Sequence, residues 1–206
     1  MSERDQGKYR PLSYFQLMEV TLRELLVEKG ILTEEQIEAE VENMRSRGPE
    51  RGAQVVARAW VDGSFKKQLL EDGTRACEAL GLDVPALKLV AVENTPQVHN
   101  AIVCTLCSCY PRMLLGIPPH WYKSRNYRSR MVREPRAVLG EFGLSIPAQT
   151  QIRVHDSTAD MRYIVLPMRP AGTEGWSEER LAAIVTRDCM IGVAVPNSGS
   201  NSGSGP

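Results

Sequence analysis

The chain has 206 residues, 42% of them hydrophobic and 24% charged, enough for one substantial core and an additional arm. Its 25 basic and 25 acidic side chains cancel, which argues against a nucleic-acid binder, because phosphate neutralisation calls for a basic excess. No apolar run approaches bilayer-spanning length, and the polar, charged stretch Met1–Arg10 shows no secretory signal, so a cytoplasmic protein away from membranes is expected.

The first third reads as helical. Ser13 and Gln16 match a capping box, in which each side chain satisfies a first-turn amide. Phe15, Met18, Leu22, Leu25 and Leu26 follow at helical spacing, and Gly30 is a plausible stop. Thr33 and Gln36 form a second box ahead of Ile37, Val41 and Met44, and Gly48-Pro49 ends that segment. Gly52–Trp60 and Phe65–Leu80 read as two further helices, broken near Asp62-Gly63. The apolar stripes of the early helices are narrow, and suit either a small bundle or an arm that embraces a partner chain.

From Lys88 the pattern changes. Lys88–Val92 and Asn100–Cys104 read as short strands, and Glu134-Pro135 starts a helix that runs to Phe142, with proline where no amide donor is needed. Gln151–His155 and Met161–Leu166 read as strands separated by a polar turn. Ser177 caps a helix whose first turn holds Glu178 and Glu179, and Met190–Val195 reads as a final strand. The expectation is an α+β protein: a helical region over 1–84, an α+β domain over 85–196, and a Ser/Gly-rich disordered tail over 197–206. No internal repeat is visible.

Three of the five cysteines, Cys104, Cys107 and Cys109, fall within six residues as C-x-x-C-x-C, while Cys77 and Cys189 read as small buried apolar residues. An odd count argues against a disulfide framework. A zinc site wants four ligands, often two separated pairs, and an iron–sulfur cluster wants four cysteines. No second pair exists, and His99 and His120 are the nearest imidazoles. The spacing favours a metal site over inert burial. Side chains 107 and 109 converge only if the backbone curls tightly, which also brings the amide nitrogens of Ser108 and Cys109 to the centre. Three sulfurs and two nitrogens leave one octahedral position open, and soft sulfur suits a transition metal.

The stretch Val103-Cys104-Thr105-Leu106-Cys107-Ser108-Cys109-Tyr110-Pro111 resembles the metal claw of the nitrile hydratase α-subunit family. The resemblance continues through Glu93-Asn94-Thr95-Pro96, Leu115-Gly116-Ile117-Pro118-Pro119, Trp121-Tyr122-Lys123, Tyr127-Arg128-Ser129-Arg130, Arg133-Glu134-Pro135-Arg136, Arg162-Tyr163, Pro170–Trp176 and Thr186-Arg187-Asp188-Cys189. It covers about residues 88–196, and more loosely the N-terminal helices. It implies the nitrile hydratase α-subunit fold and one low-spin Co(III) per chain, since Thr105 and Tyr110 match the cobalt-type claw where the iron type has serine and threonine. The implied ligands are Cys104 as thiolate, Cys107 as sulfinate, Cys109 as sulfenate, and the deprotonated amides of Ser108 and Cys109, the oxidised forms being steps on the known cysteine ladder. Cys109 and Ser108 are the implied catalytic groups. The implied partner is a β-type subunit, or two smaller β-like subunits, with arginines that bind the oxidised sulfurs. Arg128 and Arg133 are candidates for holding the claw or the partner.

Two departures stand out. Many members have tryptophan where this chain has Arg112, and a glutamine that supports the site in many members has no match before Lys88. With Tyr110, Arg112 is expected to border the substrate pocket, where a guanidinium favours a polar or anionic ligand. The arginine variant resembles the three-subunit branch, which includes a toyocamycin nitrile hydratase and thiocyanate hydrolase. The expected activity is hydration of a nitrile to its amide, possible substrates including a nucleoside nitrile such as toyocamycin; thiocyanate hydrolysis is the alternative. A non-catalytic metal-binding assembly subunit is the alternative of another class.

Overall fold

In the computed structural model, which describes residues 12–84 and 88–199, side-chain caps set most helix starts. Ser13 and Gln16 close the expected box at the head of α1 (Tyr14–Glu28), and Thr33 and Gln36 do the same for α2 (Glu34–Ser46). Next come α3 (Pro49–Val61), α4 (Gly63–Glu71) and α5 (Gly73–Ala79). The helix expected over Phe65–Leu80 is thus two. Asp72 takes an extended backbone, and its carboxylate accepts from Arg75 N at 3.1 Å, repeating the cap that Asp62 makes to Phe65 N at 3.0 Å. An aspartate that competes for the backbone in this way stops one helix and starts the next.

Four short strands follow a parallel plan: β1 (Lys88–Glu93), β2 (Val98–Val103), β3 (Gln151–Asp156) and β4 (Met161–Leu166). β3 and β4 are separated by a polar turn, as expected, but do not pair with each other. β1 pairs with β4, with Lys88 opposite Met161, and β2 pairs with β3, with Val98 opposite Gln151. Between β2 and β3 lie α6 (Arg112–Leu115), α7 (His120–Lys123), α8 (Arg125–Met131) and α9 (Pro135–Glu141). The chain closes with α10 (Glu178–Ala182), capped by Ser177, and α11 (Arg187–Ile191). The architecture is a mixed α+β fold.

The apolar run Met190–Val195, expected as a strand, is instead the last two residues of α11, its glycine cap and the irregular segment that follows. Thr186 caps that helix at Cys189 N, and Gly192 ends it in the left-handed region at φ 88°. A short apolar run carries no decisive period, and here the cap and the glycine decide it.

Contacts divide the chain into Met1–Arg45 and Ser46–Pro206, rather than near residue 84. The reason is that α3–α5 share the core of the strands. Val55, Val56, Leu69 and Cys77 are buried with Leu89, Ile102 and Ile164, Trp60 Nε1 donates to Pro167 O at 2.8 Å, and Leu89 N donates to Thr74 Oγ1 at 2.9 Å. In the first unit neither α1 nor α2 has a buried residue, and Phe15 is 80% exposed. Residues 200–206 of the expected disordered tail lie outside the described residues.

Gly192 is also a packing point. A Cβ there would stand 2.1 Å from Asn100 O, on a backbone that L residues rarely adopt. Gly192→Ala is expected to cost at least about 2 kcal/mol, read as a lower denaturation midpoint. An unchanged midpoint would show that this close approach is not rigid.

Candidate metal centre

β2 delivers the first cysteine. From Ala101 to Cys104 every residue is fully buried, and Ser157 N donates to Val103 O at 2.7 Å where the strand ends. Buried apolar strand residues fix the root of the loop that follows. The backbone then turns back on itself, and Cys107 N donates to Cys104 Sγ at 3.3 Å. Cys104 and Cys107 sulfurs lie 3.5 Å apart, Cys107 and Cys109 sulfurs 3.2 Å apart, and all three sulfurs lie within 4.8 Å of one another. The Ser108 and Cys109 backbone N–H groups face the Cys107 sulfur. The loop therefore brings together the three sequence-predicted thiols.

The donor set fits a transition metal. With metal–thiolate bonds of roughly 2.3 Å, as in zinc sites, tetrahedral sulfur neighbours would stand about 3.8 Å apart and right-angle neighbours about 3.3 Å. The separations of 3.2 and 3.5 Å suit the right-angled, octahedral arrangement better. No imidazole joins the group among the described residues. His99 is buried, with Nε2 2.8 Å from Gly192 O, and burial holds it below its usual pKa, while His120 is exposed at the start of α7.

The thiols are not equivalent. Hydrogen bonds from Cys109 and Cys104, joined by the Ser108 amide, pull Cys107 down to about 7. Burial and the hydrogen bond with Cys107 push Cys109 up to about 12, partly opposed by the Arg162 cation. The first thiolate is therefore Cys107, the exposed sulfur in the middle of the group.

Three elements grip the loop backbone. From β3, Asp156 accepts from Thr105 N at 2.9 Å and from its hydroxyl at 2.5 Å. From α7, Tyr122 Oη donates to Cys109 O at 2.9 Å. From α8, Arg128 Nη1 donates to Cys107 O. Arg133, named with Arg128 from sequence, donates instead to Ser129 O at 3.0 Å, and lines an open cleft of about 650 Å³ with Arg125, Arg128 and Thr105. Sequence reasoning gave Asp156 and Tyr122 no role. A lone aspartate at a strand end carries no motif, whereas Tyr122 sits inside Trp121-Tyr122-Lys123, a segment that had been singled out.

Tyr110 is buried, its ring 5.1 Å from that of Tyr122 and its hydroxyl 3.5 Å from Leu115 O. It thus packs against the residue that holds the Cys109 carbonyl. Arg112 is exposed at the first position of α6, and Leu106, Cys107 and Ser108 are exposed with it, Leu106 at 90%. Cys77 and Cys189 are buried away from the group.

A family model described as nitrile hydratase, alpha chain, matches residues 13–194. The cobalt-containing nitrile hydratase subunit alpha of Pseudonocardia thermophila is 53% identical over 175 residues, covering 84% of this chain and 86% of that one. The thiocyanate hydrolase subunit gamma of Thiobacillus thioparus is 46% identical over 200 residues, covering 91% and 82%. Among solved structures, a recombinant thiocyanate hydrolase with partially modified cobalt centres superposes with a TM-score of 0.86 at 46% identity, covering 92% of this chain and 93% of that chain. An iron-type nitrile hydratase double mutant from Comamonas testosteroni Ni1 superposes equally well, at 42% identity and 96% and 97% coverage.

The inequality of the thiols is directly measurable. In the metal-free chain at neutral pH, iodoacetamide should label Cys107 first, because only the thiolate attacks and its fraction rises as pH passes about 7. Cys77, which burial pushes up to about 12, and buried Cys189 should react only on unfolding. Peptide mass mapping that found Cys109 or Cys77 labelled before Cys107 would contradict this order.

Proposed function

The chain belongs to the nitrile hydratase alpha-chain family, and we propose that it is the metal-bearing subunit of a cobalt enzyme that adds water across a carbon–nitrogen triple bond. The observation that carries this reading is the loop itself: three cysteine sulfurs within 4.8 Å of one another on six residues, in a chain 53% identical to a cobalt-containing nitrile hydratase subunit. Cys104, Cys107 and Cys109 supply sulfur, and the amides of Ser108 and Cys109 supply nitrogen, to one low-spin Co(III). When bound, the cobalt supplies a Lewis acid that polarises the triple bond.

The rest of the chemistry belongs to the chain. Cys107 is proposed to mature to sulfinate and Cys109 to sulfenate, with dioxygen or a peroxide from solution as the oxidant and source of the added oxygens. The Cys109 sulfenate oxygen then serves the electrophilic carbon, as nucleophile or as the base that activates water, and the imidate so formed tautomerises to the amide. Ser108, exposed between them, is small enough for the turn and offers a hydroxyl to the same face. Of the two residues proposed for the substrate pocket, Tyr110 is buried and Arg112 is exposed, so Arg112 is the one proposed to meet substrate directly.

Exposure of Leu106, Cys107 and Ser108 leaves the reacting face open. A β-type partner, or two smaller β-like subunits, is proposed to close it and to bring arginines to the oxidised sulfurs. The apolar residues that α1 and α2 expose, among them Phe15, Met18 and Leu22, suit an assembly arm. Among the described residues no helix is long and apolar enough to cross a membrane, and a cytoplasmic location remains part of the proposal.

For the substrate, the proposal is a nitrile with polar substituents, a nucleoside nitrile of the toyocamycin kind being one fit, because the exposed Arg112 guanidinium can donate to a heterocycle. Thiocyanate is the second reading, favoured by the same permanent positive charge and by the 91% of this chain that aligns with a thiocyanate hydrolase subunit.

The test is metal analysis with mass spectrometry of the Cys104–Cys109 peptide. Cobalt near one per chain, with two added oxygens on Cys107 and one on Cys109, is expected; stoichiometric zinc with unmodified thiols would make the site structural and the chain an assembly subunit. Cys104→Ser, Cys107→Ser and Cys109→Ser should each abolish stable cobalt retention, and a normally loaded, active variant among them would end the claw model.

Arg112→Trp separates substrate choice from metal holding. Cobalt content should stay unchanged while the ratio of kcat/KM for a polar or anionic substrate over a small apolar nitrile falls, by about tenfold for one lost charged contact. An unchanged ratio in a fully loaded variant rejects the pocket role, and loss of cobalt would place Arg112 among the supports of the loop.

A further inference from the structure

Arg128 acts on one particular peptide of the loop. Its Nη1 donates to the carbonyl oxygen of Cys107, and that oxygen and the Ser108 nitrogen belong to the same conjugated peptide unit, so charge on the nitrogen is shared with the oxygen. The Tyr122 contact differs in kind. It falls on Cys109 O, in the peptide shared with Tyr110, whose nitrogen is not in the proposed ligand set. Of the two donors that reach loop carbonyls from α7 and α8, only the cationic one bears on a ligating nitrogen.

We infer that Arg128 is the positioning residue that makes the Ser108 nitrogen a metal ligand, by holding negative charge on the Cys107 oxygen. The inference rests on the reading of that nitrogen as a ligand. In the step, the Ser108 N–H bond breaks and the proton passes to water, which reaches the exposed Ser108. A bound metal would take the lone pair left on that nitrogen, and the remaining negative charge would be shared with the carbonyl oxygen against the guanidinium. Nothing is oxidised or reduced.

The surroundings fit this role. A guanidinium stays charged at any working pH, and hydrogen bonds with a charged partner are roughly twice as strong as neutral ones. Among the described residues no carboxylate pairs with Arg128, and its Nε is buried without a partner. On the same helix, Arg130 is neutralised by Glu134 and Glu141. The Arg128 charge is therefore left to the loop. Its helix is fixed to the strand that carries the loop: Tyr127 Oη donates to Ile102 O at 2.7 Å, Ser124 caps the first turn, and Met131 is buried. The guanidinium and the peptide it faces thus share one frame.

Arg128→Lys keeps the charge, and Arg128→Gln keeps a neutral donor, so the pair separates charge from simple hydrogen bonding. Both variants are prepared as the cobalt-loaded complex. X-ray absorption counts nitrogen and sulfur ligands, the sulfur-to-metal absorption band reports the coordination sphere, and the half-life of cobalt against a chelator reports retention. The glutamine variant should lose a nitrogen ligand, shift the band and release cobalt at least tenfold faster. The lysine variant should stay within about threefold of the parent with both nitrogens bound. Equal behaviour of the two variants, whether both intact or both impaired, overturns the inference, because charge would then not be the operative property. A parent protein with sulfur ligands alone overturns it together with the Ser108 reading, whereas two nitrogens in the parent that persist in Arg128→Gln overturn it alone.

Discussion

The register of β2 against β3 is the constraint on which the centre depends. Val103 stands opposite Asp156 at the end of the parallel pair. One residue beyond Val103 the buried Cys104 begins the loop, and one further Thr105 meets the Asp156 carboxylate through both its amide and its hydroxyl. A slip of one residue would turn every β2 side chain to the other face, taking Cys104 out of the core and Asp156 away from Thr105. Polar contacts centred on Asn100 anchor β2 on both sides, one of them, from His155, crossing to β3. Asn100 N donates to Asn94 Oδ1 at 2.7 Å, Asn100 Nδ2 donates to Glu93 O at 2.7 Å, and His155 Nε2 lies 2.8 Å from Asn100 Oδ1. Each buried polar atom left without its partner costs about 1–3 kcal/mol, so a shifted register loses several such terms together.

From that root, the loop is shaped by where its backbone polar groups find partners. A tight turn cannot satisfy them in a helix or a sheet. Thr105 N goes to β3, while Cys107 O and Cys109 O go to α8 and α7. With those groups committed outward, the Ser108 and Cys109 amides remain close enough to the Cys107 sulfur to help hold its pKa down. Tyr122 can reach the loop because Tyr110, Tyr127 and Trp121 pack around its ring. The aromatic layer thus transmits the rigidity of the core to a turn whose outer residues are exposed.

Much of this was legible in the sequence, and the limits have physical causes. Capping boxes at Ser13 and Thr33 are local chemistry and read out directly. C-x-x-C-x-C is also local, and the three thiols meet as their spacing implied. The break at Asp72 was missed because an aspartate inside a helical stripe looks like a solvated charge until its carboxylate is seen to cap. The strand expected over Met190–Val195 failed because its end depends on Gly192 meeting Asn100 about ninety residues earlier. Asp156 and Tyr122 were given no role for the same reason, since their importance lies in contacts with a distant loop. The pairing of β1 with β4 and of β2 with β3 likewise follows from packing against the helices between them, which no spacing encodes.

An exposed site of this kind sets a requirement on assembly. Three sulfurs, one of them already a thiolate near neutral pH, would be open to uncontrolled oxidation on a bare surface. The chain protects only one side: Cys104 is sealed in the core, while Cys107 faces solvent. Its chain neighbour Leu106 projects without apolar cover, and Ile117 is exposed as well, as residues at the rim of an interface are. The first unit repeats the pattern, with helices that contain no buried residue and expose most of their large apolar side chains. A helix of fifteen residues has little stability in water without a packed face. Both observations point to assembly. On the proposed reading, a partner that covered the loop would enclose the reactive sulfurs in a medium of lower dielectric, where a bound Lewis acid and nearby fixed charges act more strongly, and the exposed apolar helices of the first unit would separately offer surface for assembly.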